Sequence, residues 1–95
     1  MERSLASEIT SVMSNQNVMG ALCCDQNGLC YSASGSLEPD ASGMIAAVSR
    51  LVRDLDPSFA ASEQPVVCLE SKDRITLIHK EGDVCVALQK RPEPR

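Results

Sequence analysis

Val18-Met-Gly-Ala-Leu-Cys-Cys-Asp-Gln-Asn-Gly-Leu-Cys-Tyr-Ser-Ala-Ser34 is the stretch on which the reading of the whole chain depends. Two β-prone runs, about Val18 to Cys24 and Leu29 to Ser34, flank Asn27-Gly28. Asn-Gly is a strong hairpin signal, because a type I′ turn needs φ > 0 at both central residues; Asn tolerates this and Gly adopts it without a Cβ penalty. Gly20 falls inside the first strand, where a missing side chain normally weakens pairing. Its expected use is to let a helix or another backbone approach the sheet closely.

Working outward, Ser34-Gly35-Ser36 turns the chain into a helix expected over 39–55. Pro39 suits the first helical position, where no N–H is needed, and Asp40 suits the positive end of the helix dipole. Ala41, Met44, Ile45, Val48, Leu51, Val52 and Leu55 follow the 3.6-residue period, while Arg50, Arg53 and Asp54 fall largely off that stripe. Ala46 and Ala47 widen the apolar surface, so this helix is expected to touch its own sheet and something else. Asp56-Pro57 stops it, and Ser58 to Gln64 reads as a linker in which Phe59 plugs the helix end.

Three further strands are expected over 65–71, 74–80 and 83–89, joined by tight turns at Lys72-Asp73 and Glu81-Gly82 and therefore antiparallel. Pro65 suits a strand's first residue or an edge. Val66 to Leu69 and Val84 to Leu88 are apolar on both faces, which predicts cover on both sides of the sheet. Upstream, Leu5, Ile9, Val12 and Met13 form the stripe of a short helix over 2–14. The order α-β-β-α-β-β-β makes one α+β domain over 1–95: a five-stranded antiparallel sheet covered by helices, with a tail over 91–95 and no third C-terminal helix. Two helices are barely enough for five strands, which points to a partner.

Composition narrows the function classes. Ninety-five residues fit a single core, and Tyr31 and Phe59 are the only aromatics. The core is therefore aliphatic and small, and burying a partner surface is one remedy for its modest size. A net charge of -4 argues against nucleic acid as a partner. Lys90, Arg91 and Arg95 are broken up by Pro92, Glu93 and Pro94 and read as a solvated tail. Neither a signal peptide, nor a myristoylation signal, nor an apolar run near the ~20 residues of a membrane span is present, so no direct membrane insertion is expected. Five cysteines, an odd number among apolar strand neighbours, read as buried free thiols in a reducing compartment, with a Cys24–Cys30 disulfide unneeded.

No arrangement for catalysis stands out. His79 is the single histidine and reads as an exposed strand-end residue. Cys23 and Cys24 are adjacent, so in a strand they point to opposite faces and cannot share one metal ion. Asp25-Gln26-Asn27-Gly28 lacks the ligand spacing of a calcium loop, and no glycine-rich phosphate loop occurs. The chain reads as a non-enzyme with no cofactor and no metal.

The element order and the short hairpin resemble the roadblock/LC7 fold. Two stretches narrow the resemblance to the small Ragulator subunits also called hepatitis B virus X-interacting proteins. Val18 to Leu29 is close to that family's V-G-V-L-C-T-D-S-Q-G-L hairpin, with Cys24 in place of the hairpin Thr, and Pro65-Val-Val-Cys-Leu-Glu-Ser71 matches its third strand. The resemblance covers about Leu5 to Lys90.

It implies a non-enzymatic scaffold that forms a heterodimer with another roadblock-fold Ragulator subunit. A lipid-anchored wrapping subunit would hold that pair at the late endosomal and lysosomal membrane, and Rag GTPases would be reached through the complex in amino-acid-dependent mTORC1 activation. Roadblock dimers pair through the second helix and third strand. Carried onto this chain, the pairing surface is Met44, Ala47, Val48 and Leu51 with Val66, Val67, Cys68, Leu69 and Glu70. The rival readings are an adaptor for the viral X protein or survivin, for which these residues identify no site, and a redox protein using Cys23, Cys24 or Cys30.

Overall fold

In the computed structural model, residues 17–55 and 65–92 are described. Strands β1 (Val18–Asp25) and β2 (Cys30–Gly35) form the hairpin, a 3-10 turn covers Pro39–Ala41, and helix α1 covers Ser42–Leu55. Strands β3 (Val66–Glu70), β4 (Ile75–Glu81) and β5 (Val84–Lys90) follow. The helix expected over 2–14, the linker with Phe59 and the end of the tail lie outside the described residues.

The five strands make one antiparallel sheet in the order β2-β1-β5-β4-β3, so β1 and β5 are neighbours near its centre and β2 and β3 are its edges. The last two strands begin and end one residue later than expected, and Lys90 closes β5 instead of opening the tail. His79 lies within β4, half-buried, with its Nε2 3.8 Å from Glu81 Oε2, and is not at the strand end.

The hairpin turn differs from the type I′ expectation. Asn27 does not have positive φ; only Gly28 does, at 94°. Gly28 N–H donates to Asp25 O at 3.1 Å, and Asp25 N–H donates to Leu29 O at 2.9 Å. This is the pattern of a type I turn closed by a glycine bulge. Asp25 selects it: its Oδ1 accepts from Asn27 N–H at 2.9 Å and from Leu29 N–H at 2.8 Å. The local carboxylate outweighs the Asn-Gly preference, and it is occupied within the turn, where a calcium loop would offer it to an ion.

Gly20 does what its place in a strand suggests. A Cβ there would lie 2.5 Å from Ser36 Oγ and 2.8 Å from both Ser36 N and Leu37 N. The backbone leaving β2 folds back onto β1 at this point, where Ser36 N–H donates to Met19 O at 3.0 Å.

Strand alternation sorts the interior into two faces. Leu22, Cys24, Ile78, Cys85 and Ala87 pack with Leu37, Ile45 and Ala46 on the face that carries α1. Ala21 and Cys23 are buried on the other face with Val84, Val86 and Leu88 beside them. Adjacent Cys23 and Cys24 thus serve different faces, as strand geometry requires. Every member of the core is small or aliphatic, in keeping with a chain nearly devoid of aromatics.

Candidate interaction surface

Helix α1 has more apolar surface than its sheet covers. Ile45 and Ala46 are buried, and Ala41 and Val48 pack at the rim of the same cluster. Met44 is 72% exposed, Leu51 62% and Leu55 83%. At roughly 100° per residue these three fall within about 40° of one another, a second stripe beside the buried one. Leu55, which the sequence put on one apolar stripe with Met44, Ile45 and Leu51 but not on the expected pairing surface, belongs to the exposed part of that stripe. The signal was present: 44, 51 and 55 repeat at seven and four.

Strand β3 pairs with β4 along one side, and no described strand pairs with its other side. Its register with β4 places Val67 opposite Ile78, so Val67 and Leu69 share the face of α1, while Val66, Cys68 and Glu70 take the other. Val66 and Leu69 are 58% and 51% exposed, and Cys68 and Glu70 are exposed too. Bare edge strands are usually guarded by proline, lysine or a bulge; β3 has only the preceding Pro65 and its terminal Glu70.

Of the nine residues expected on the pairing surface, Met44, Leu51, Val66, Cys68, Leu69 and Glu70 are exposed. Ala47 is half-buried. Val48 and Val67 are half-buried and pack against the core, so they support this surface from beneath. Because both flank one cluster, the helix stripe and the edge strand border a shared apolar region.

The Cys24 thiol is held in its protonated form. No disulfide joins any of the five cysteines, the Cys24–Cys30 cross-strand pair included. Burial, and then the neighbouring Cys85 thiol, push Cys24 up from 9.0 to about 12, and its Sγ donates to Ser42 O at 3.5 Å. A thiol held protonated is a poor nucleophile. Among the described residues no group of three or more His, Cys, Asp or Glu side chains could hold a metal ion.

The buried Cys24 thiol makes stability fall at alkaline pH. The folded-state value lies above the ordinary one, so the stability tied to the neutral Cys24 thiol is complete below about pH 9 and is lost as pH rises from about 9 toward about 12. Chemical-denaturation midpoints should fall across that range, and iodoacetamide should modify exposed Cys68 well before Cys24 in the folded chain. Equal labelling rates would contradict this.

Among the described residues no helix is long and apolar enough to cross a membrane. The family described as Ragulator complex protein LAMTOR5 matches over residues 1–90. The chain is 36% identical over 92 residues to a Ragulator complex protein LAMTOR5 homolog of Nematostella vectensis, covering 97% of this chain and 99% of that protein. It is 35% identical over 92 residues to Ragulator complex protein LAMTOR5 of Xenopus tropicalis, covering 95% and 97% respectively. Its backbone is similar to a roadblock/LC7 domain from Streptomyces avermitilis (TM-score 0.76, 19% identity, 96% of this chain and 81% of that one). It is similar as well to Myxococcus xanthus MglB (TM-score 0.73, 16% identity, 96% and 75%).

Proposed function

From the chain's place in the family of Ragulator complex protein LAMTOR5, to which it belongs, we propose that it is a non-enzymatic scaffold subunit of a Ragulator complex. It pairs with another roadblock-fold subunit through α1 and β3. A lipid-anchored wrapping subunit holds the pair at the late endosomal and lysosomal surface, where the assembly recruits Rag GTPases and supports amino-acid-dependent mTORC1 activation.

One observation supports the pairing step above the others: the exposed large apolar residues of α1 and β3, namely Met44, Leu51, Leu55, Val66 and Leu69, occur beside an edge strand with an open side. Covering the solvent-facing halves of five such side chains contributes on the order of 5 kcal/mol. That is comparable with the lower range of association costs, about 4–15 kcal/mol. Hydrogen bonds from the open side of β3 add to it and fix the register.

The test is the solution mass of the chain alone and after co-expression with a roadblock-fold Ragulator subunit. The expected result is a stable one-to-one heterodimer. A well-behaved monomer that ignores every such subunit overturns the reading.

A further inference from the structure

A cleft of about 400 Å³ runs along the flank of α1 that faces the hairpin turn. Its lining includes buried Ala46 and Cys85, with Leu51, Arg50, Asp54 and Lys80 around them. We propose that this cleft receives a carboxylate side chain of the paired roadblock subunit, held between Arg50 and Lys80. The proposal rests on the pairing described above and names the chemistry of the partner at that surface.

The cleft is positively charged. Arg50 Nη1 donates to Gln26 O at 2.7 Å, a neutral acceptor that fixes the guanidinium without neutralising it. Lys80 is half-buried in β4, opposite fully buried Cys85. Among the described residues no carboxylate, Asp54 included, forms an ion pair with Arg50 or Lys80. Half-buried Lys80 bears a desolvation cost that a carboxylate offsets, and exposed Arg50 adds a second positive charge to the same lining. The cleft holds two cations against one anion in a chain whose net charge is -4. Its local sign is therefore opposite to that of the molecule as a whole, which selects for an acidic group.

The cleft also adjoins the exposed helix stripe. Leu51 lines the cleft and belongs to the exposed helix stripe. A chain that covers the stripe passes over the mouth of the cleft, and an aspartate or glutamate on it reaches the two cations. Guanidinium and ammonium groups beside a small apolar floor suit a carboxylate on a short stem.

The experiment compares heterodimer affinity for the parent chain, Lys80→Glu, Lys80→Gln and Leu69→Asp, at about 50 and about 500 mM salt. Circular dichroism checks that each variant is folded. Lys80→Glu should weaken pairing by on the order of tenfold or more at low salt and flatten its salt dependence, with Lys80→Gln intermediate. Leu69→Asp abolishes pairing at both salt concentrations. If Lys80→Glu and Lys80→Gln keep the parent's affinity and salt slope while Leu69→Asp abolishes pairing, the cleft assignment is wrong and the pairing stands. If the parent does not pair, both readings fall. Glutarate bound to the unpaired chain and retained after pairing would make a free small anion the occupant and overturn the partner carboxylate.

Discussion

Replacing Leu69 with aspartate is expected to abolish pairing with another roadblock-fold subunit while leaving the domain folded. Leu69 is half-exposed on the edge strand, shares a face with α1 and is not among the side chains packed against the core. In the unpaired chain the new carboxylate therefore reaches water at little cost. In the pair it would be desolvated against apolar side chains with no counter-charge, and the leucine's own burial would be lost. Together these are worth several kcal/mol, roughly a hundredfold or more in affinity. Light scattering on the co-expressed proteins should find two separate species. Normal co-migration would remove β3 from the interface. Val67 is a poorer probe, because it packs against the core and a charge there would damage the fold itself.

The largest loss of stability is expected from Gly20→Val. Even the Cβ of alanine would overlap Ser36 Oγ and lie 2.8 Å from two backbone nitrogens. A hydroxyl can rotate away, but the backbone of Ser36 and Leu37 cannot move without breaking the Ser36 N–H bond to Met19 O and shifting buried Leu37. Overpacking of this kind costs about 1–3 kcal/mol, and more where backbone must yield. For a domain of this size that corresponds to a melting temperature lower by roughly 10–20 °C. Gly20→Ala should fall between the two. A Gly20→Val chain that melts with the parent would show that the segment after β2 is free to lift from β1.

The elements were legible because their signals are local. Pro39 at a helix start, the 3.6-residue stripe, the turn residues between short β-prone runs and a glycine inside a strand all have direct physical meanings, and the fold uses each. The exact turn was not legible from Asn27-Gly28 alone, since the choice was made by the carboxylate of Asp25 two residues earlier. Nor was the sheet order: nothing in β1 or β5 by itself declares that Leu22 stands opposite Ala87. That information is long-range, and so is the sorting of the interface. Val48 and Val67 look like Leu51 and Leu69 in sequence; only the placement of α1 over the sheet separates supporting residues from exposed ones. Nothing local to Lys80 shows that it shares a cleft with Arg50; only the placement of α1 over β4 does.

The pairing of β1 with β5 also governs how the chain is made. During synthesis the hairpin emerges before α1, yet β1 has only one ladder partner until β5 has left the ribosome. Every residue of α1, β3 and β4 must be produced before the centre of the sheet can close, a high contact order for so short a chain. Closure of the sheet is accordingly expected to wait for β5 and to be slow. The nascent chain meanwhile exposes apolar strand edges to chaperones, or to a partner already waiting.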